Sequence, residues 1–230
     1  MSTLSLCMIV KDESRVVERC LRSVLPLIDA WTVVDTGSSD DTPDRVQAVL
    51  GHLPGQLHHR PWRNFAENRS EAFELNRDSA DYHLVIDADD WLEAEAGAEF
   101  RKPYLKADWY FLNVHYNGIR YHRPQLFSTG LDWRYEGVVH EYAECPEAKS
   151  RGVVEGLCYV CSCGEGARSR DSQKYFQDAQ LLEEALLLNP DDPRSGMVSV
   201  FRTLELDSSN GGSKSCPNVH DTLRSSKIRP

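Results

Sequence analysis

Three apolar runs of strand length punctuate the first ninety residues: LSLCMIV (4–10), WTVVD (31–35) and YHLVIDADD (82–90). Helix-like stretches separate them. In DESRVVERCLRSVLPL, residues Val16, Val17, Cys20, Leu21 and Val24 recur at helical spacing, with Asp12 or Ser14 as an expected cap. TPDRVQAVL opens on Thr42 and Pro43, a favoured helix start, and NFAENRSEAFELNRDS supplies a further helix. GQLHHRPW holds a short strand. Strand–helix alternation of this kind specifies an α/β fold with a mostly parallel central sheet flanked by helices. Ligands collect beyond the carboxyl ends of such strands. Asp35 ends one run and Asp87 another, so two acidic residues share one rim of the sheet.

The third run ends in Asp87, Asp89 and Asp90. Like charges this close repel one another and resist desolvation. A cation, or open water, has to compensate them.

Composition narrows the class. The chain has 230 residues and a formal net charge of −10, with no global basic field for nucleic acid. No apolar run approaches the roughly 20 residues needed to span a bilayer. MSTLSLCMIV lacks a basic leader segment and reads as a first buried strand, so a cytoplasmic location is expected. The seven cysteines are then expected to be reduced. In CYVCSC, Cys158, Cys161 and Cys163 lack a second pair at zinc-site spacing and read as small buried thiols, with Cys161 and Cys163 on one strand face.

After residue 100 the pattern loosens. DWYFLNVHYNG and RPQLFS read as antiparallel strands, and GVVEGLCYVCS as another. SQKYFQDAQLLEEALLLNPDDP is a helix with Tyr175, Ala179, Leu182 and Leu186 on one stripe, stopped by Pro190. The expected organisation is a domain over 1–165, a C-terminal helical appendage over 166–206 and a disordered tail over 207–230.

LSLCMIVKDE, VVDTGSSDDT, NFAENRSEAF, LVIDADDWLE and YEGVVHE occur in an order that resembles family 2 glycosyltransferases, over residues 4–190. The likeness is to a bacterial subgroup often fused to tetratricopeptide repeats. It implies the GT-A fold of nucleotide-diphospho-sugar transferases, a donor such as a UDP-sugar, a divalent cation (Mn²⁺ or Mg²⁺) and inversion at the anomeric carbon. Asp87-Ala88-Asp89 is similar to the family's DxD motif. The resemblance implies Asp89 as a metal ligand and Asp87 on ribose or donor-sugar hydroxyls, with Asp90 as an outer-shell partner. A hard cation bridging carboxylate and phosphate would relieve the crowding of charge.

By the same resemblance Asp35 accepts a hydrogen bond from the nucleobase, and Val10 and Glu13 border the nucleotide through backbone groups. Gly37, Ser38 and Ser39 then make a tight turn, while Asp40 and Asp41 cap the next helix. Arg69, with Asn68 beside it, would reach the nucleotide. His140 would be a further metal ligand. Inversion needs a carboxylate on the acceptor side: Glu136 first, Asp132 second, with Glu141 open. Trp133 and Tyr135 could stack on sugar faces or serve as core aromatics.

Residues 191–230 lose the repeat periodicity, and one helix cannot make a repeat array. An apolar helix face without repeat neighbours favours self-association. The residues name no acceptor: a saccharide, a lipid-linked sugar, a peptide and a protein all fit. A competing reading is a sugar-nucleotide-binding or interaction protein with weakened catalysis. A dinucleotide oxidoreductase is disfavoured, because no G-x-G-x-x-G follows the first strand.

Overall fold

The computed structural model describes residues 2–139, 141–162 and 164–188. Met1–Lys174 forms one compact unit, and a second unit begins at Tyr175. The first three elements follow the apolar pattern: β1 (Leu4–Val10), α1 (Val17–Val24) and β2 (Ala30–Asp35). The predicted stripe of α1 is buried, Val17, Cys20, Leu21 and Val24 among it. Neither Asp12 nor Ser14 caps that helix. Val16 takes the cap position without a side-chain bond, while Asp12 sits at φ 54° and accepts from Ser39 N at 2.7 Å.

α2 (Thr42–Leu50) starts at the predicted Thr-Pro pair, and β3 (Gly55–His59) follows. Asp40 accepts from Thr42 N, whereas Asp41 pairs with Arg45 instead of capping. α3 (Phe65–Asn76) is capped by Asn64, whose side chain accepts from Glu67 N at 2.8 Å. β4 (Tyr82–Val85) is short and buried throughout.

Beyond it come β5 (Trp91–Ala94), β6 (Trp109–Tyr116), β7 (Ile119–Ser128) and β10 (Arg151–Val160). With the first four strands they form one eight-stranded sheet ordered β3-β2-β1-β4-β7-β6-β10-β5. Only β7 and β5 run against the others. β10 meets the antiparallel expectation only against β5 and pairs parallel with β6. A separate ribbon joins β8 (Arg134–Glu136) to β9 (Tyr142–Glu144). Neither this ribbon nor β5 was expected, because their three- and four-residue strands are too short to show alternation.

Two clusters cover the sheet. The larger includes Leu6, Met8, Leu21, Trp31, Leu84 and Leu112 beneath α1 and α2. The smaller packs Cys7, Val34, Phe73, Val85, Phe127 and Trp133 beneath α3 and β8. Trp133 and Tyr135 are therefore packing aromatics. Phe73 stacks on Tyr135 at 5.1 Å, and Trp133 meets Phe127 at 5.0 Å. Cys158 is a buried free thiol, as read, whereas Cys161 is half-buried; Cys7, Cys20 and Cys145 are buried free thiols too. Cys163 lies outside the described residues.

A short helix α4 (Ala167–Arg170) precedes α5 (Lys174–Leu188). On α5, Ala179 and Leu182 of the predicted stripe are buried, while Phe176 and Leu187 are exposed. Pro190, Cys216 and the readings placed on 189–230 lie outside the described residues. Among the described residues no helix is long and apolar enough to cross a membrane.

Candidate active site

The carboxyl ends of β2, β1 and β4 open on one rim. The loops after β1 and β2 are laced together: Asp12 N donates to Ser38 Oγ (3.0 Å), Glu13 N to Thr42 Oγ1 (2.8 Å) and Ser14 N to Asp40 Oδ2 (3.2 Å). Asp35 closes this end. It is 3% exposed, accepts from Ser38 Oγ at 2.5 Å and Ser38 N at 3.1 Å, and meets His59 Nδ1 at 3.1 Å. The Gly37-Ser38-Ser39 turn, with Gly37 at φ 105°, folds back on this carboxylate. Val10 O is taken by Thr36 N at 2.9 Å. Asn68 is fully buried and braces the loop before α3, accepting from Arg63 N and donating to Pro61 O. It is not directed at the rim.

Two strands along, the acidic run is compensated unevenly. Arg69 Nη2 donates to Asp87 Oδ1 at 2.5 Å, and Arg69 Nε to Glu141 Oε1 at 2.8 Å. Arg123 Nη2 lies 3.6 Å from Asp87 Oδ2 and 3.7 Å from Asp90 Oδ2. Tyr159 OH donates to Asp90 Oδ2 at 2.6 Å, and Ser162 N to Asp90 Oδ1 at 2.8 Å. Asp90 is thus tied down as an inner brace.

Asp89 differs. Among the described residues no cationic side chain reaches its carboxylate, which accepts only from Ser162 Oγ at 2.8 Å. Ser162 and Gly166 pack close over it, with Ala167 beside them. A Cβ at Gly166 would fall 2.6 Å from Asp89 Oδ2, and Ala167 N donates to both Glu13 oxygens at 3.0 Å. Arg19 pairs with Glu165 and donates to Asp89 O at 2.7 Å.

The charges shift accordingly. Burial raises Asp87, but the Arg69 and Arg123 guanidiniums outweigh it and hold the carboxyl down to about 2. Burial, with Asp87 beside it, pushes Asp90 up to about 6. Burial also lifts Glu13 to about 7, with Asp89 adding to the rise. Burial keeps the Tyr159 phenol protonated and so a donor.

The acceptor-side residues separate. Asp132 is exposed and pairs with Arg77 and Arg134 at the C-terminal end of α3, beside the start of β4 and away from the acidic rim. The chain then runs back along α3. Tyr135 N donates to Ser70 Oγ at 2.9 Å, and Glu141 reaches Arg69. Glu136 lies between these points, exposed and without an ion pair among the described residues. His140 lies outside the described residues. Among those described, no three His, Cys, Asp or Glu side chains converge on a metal position.

The structure therefore brings Glu13, Arg69, Asp87, Asp89, Asp90 and Glu141 together. It adds Arg19, Arg123, Tyr159 and Ser162, which the sequence reading missed. One signal could have found Arg123: in RPQLF an arginine and a glutamine interrupt an otherwise apolar strand end.

Comparison with known proteins bears on the fold. A TPR repeat-containing protein of Synechococcus elongatus is 40% identical over 151 residues, 63% of this chain and 36% of that protein. This chain thus spans well under half the length of that relative. TarS of S. aureus, residues 1–349, solved in complex with UDP-GlcNAc, matches with a TM-score of 0.53 at 14% identity, covering 96% of this chain and 77% of that one. A further TarS structure matches with a TM-score of 0.52 at 13% identity, covering 99% and 46%. These likenesses show the GT-A fold. Residues 5–114 match the profile of glycosyl transferase family 2.

Proposed function

We propose that this chain is a metal-assisted glycosyltransferase that moves a sugar, with inversion, from a nucleoside-diphosphate donor of the UDP class to a hydroxyl acceptor. One observation carries the reading. Among the described residues, Asp87 and Asp90 have guanidiniums within ion-pair distance and the Asp89 carboxylate has none. A carboxylate held beside buried charges without a cation of its own fits a divalent cation, which takes oxygen ligands and shares them with phosphate. Asp89, with His140, would hold Mn²⁺ or Mg²⁺. When bound, such a cation supplies Lewis-acid stabilisation to the departing diphosphate.

The chain's own residues do the rest. The loops around Asp35 and Val10 border the base, Glu13 anchors Ala167, and Asp87, oriented by Arg69, accepts from donor hydroxyls. Glu136, which no cation among the described residues neutralises, takes the acceptor proton as the hydroxyl oxygen attacks the anomeric carbon. The bond to the diphosphate breaks with its electron pair. Proton transfer by a placed carboxylate contributes about 10²- to 10⁴-fold. The exposed Phe176 and Leu187 of α5 support self-association, testable by the mass in solution at rising concentration.

The test starts with thermal shift. UDP with Mn²⁺ is expected to raise the melting temperature, since a ligand that binds the folded state stabilises it by mass action. A shift that ignores the metal refutes metal assistance, and no shift refutes the donor site. Asp89→Asn is expected to weaken UDP binding in Mn²⁺ by more than about 100-fold on calorimetry. Glu136→Gln is expected to keep UDP affinity while transfer falls by about 10²-fold or more. Retained turnover moves the base to Glu141.

One observation favours a second reading, a nucleotide-sugar-binding protein with weak turnover. Ser162 and Gly166 already crowd Asp89. Tight UDP binding with no UDP release from any of a panel of UDP-sugars would establish that reading instead.

A further inference from the structure

Arg123 belongs to none of the motifs, yet its guanidinium sits among the rim carboxylates. It projects from β7, the strand returning antiparallel beside β4. Gln125 is 4% exposed; with its amide oriented to bond, its oxygen accepts from Arg123 Nη2 at 2.7 Å and Nε at 2.9 Å. Behind the group lies the Tyr159 ring, 4.3 Å from the guanidinium carbon. These two contacts set the plane of the fork without neutralising it, because an amide oxygen and a ring face carry no net charge.

The contacts with Asp87 and Asp90, at 3.6 and 3.7 Å, are longer than the 2.5 Å bond that Arg69 makes to Asp87. Nη1 makes no hydrogen bond among the described residues, and the side chain is 32% exposed. Arg69 is a committed partner. Arg123 is a preset cation with donors to spare.

The order of strands says what those donors meet. Asp35 ends β2; β1, β4 and β7 follow in turn. At roughly 4.8 Å per strand, β7 lies about 14 Å along the rim from the base end. A nucleoside diphosphate with its base beside Asp35 therefore extends its far phosphate toward β7.

We propose that Arg123 binds the distal (β) phosphate of the donor and holds it as it leaves. This rests on the donor-site reading above. The experiment is calorimetry with UDP and with UMP, in saturating Mn²⁺, on wild type and Arg123→Met. Loss of a charge-assisted phosphate contact is expected to weaken UDP by about 10- to 100-fold. UMP, which has no β-phosphate, is expected to stay within about twofold. Equal weakening of both nucleotides, or of neither, overturns the assignment to the β-phosphate. If wild type binds neither nucleotide, the donor site itself is refuted. Should Arg123→Met fail to fold, Arg123→Gln removes the charge and keeps a donor for Gln125, and the same ratio decides.

Discussion

The two halves of the central sheet carry opposite duties. The all-parallel half, β3-β2-β1-β4, delivers carboxylates: Asp35 at the end of β2 and the acidic run after β4. The mixed half, β7-β6-β10-β5, delivers what holds them, with Arg123 from β7, Tyr159 from β10 and Ser162 just beyond it. From the parallel side, Arg69 on α3 brings a cation to the Asp87 carboxylate and Arg19 on α1 one to the Asp89 carbonyl. Acidic residues are inexpensive at an open strand end and costly once buried, so the acids can stand where strands finish. Their partners must arrive from strands that fold back against them. The rim is an acidic scaffold completed from across the sheet.

On this division, removing the parallel-side guanidinium that pairs with Asp87 costs most. Arg69→Met leaves Glu141, 14% exposed, and Asp87 without their shared partner. Truncating one member of such a pair is expected to destabilise the fold by about 3 kcal/mol, read by urea denaturation. A loss below about 1 kcal/mol would mean that Arg123 alone balances the site.

A smaller effect tests the support from across the sheet. Asp90 is raised to about 6 in the folded protein from an ordinary 3.8. A raised carboxyl contributes its stability fully below about 4 and loses it as pH rises through 6. Asp90→Asn lacks this titration. Between pH 4 and 7 the stability difference should therefore move by on the order of 2 kcal/mol in favour of the variant. A pH-independent difference would show that Tyr159 and Ser162 already accommodate the charge.

The smallest effect belongs to a carboxylate outside the scheme. Asp132 is an exposed partner of Arg77 and Arg134. Asp132→Asn is expected to leave both the urea midpoint and UDP affinity essentially unchanged. Lost turnover in that variant would return the acceptor base to the far end of α3.

The same division explains what could be read in advance. β1, β2 and the start of α2 follow from contiguous apolar runs and a Thr-Pro pair, local signals that need no tertiary knowledge. The carboxylates stood out because they crowd into four residues. Arg123, Tyr159 and Ser162 lie 33 to 73 residues from Asp90 and Asp89 in the chain, and only the pairing of β7 with β4 and of β10 with β6 brings them near. Asn68 misled for the opposite reason: its place beside Arg69 suggested a shared role, but successive helical residues face about 100° apart. The parallel pairing of β10 was equally hidden, since apolar alternation does not encode strand direction.

α3 has one more consequence. Arg69 reaches the acidic rim, Ser70 receives Tyr135 N, Phe73 stacks on Tyr135 and His83, and Asn76 bonds Ser5 on β1 and His83 on β4. The helix acts as an axle joining the sheet, the β8 ribbon and the charge balance of Asp87. A single inserted residue in its first turn would swing the next by about 100°. It would carry Arg69 off the rim while every acidic group stayed in place, leaving a protein that keeps its carboxylates and loses their alignment.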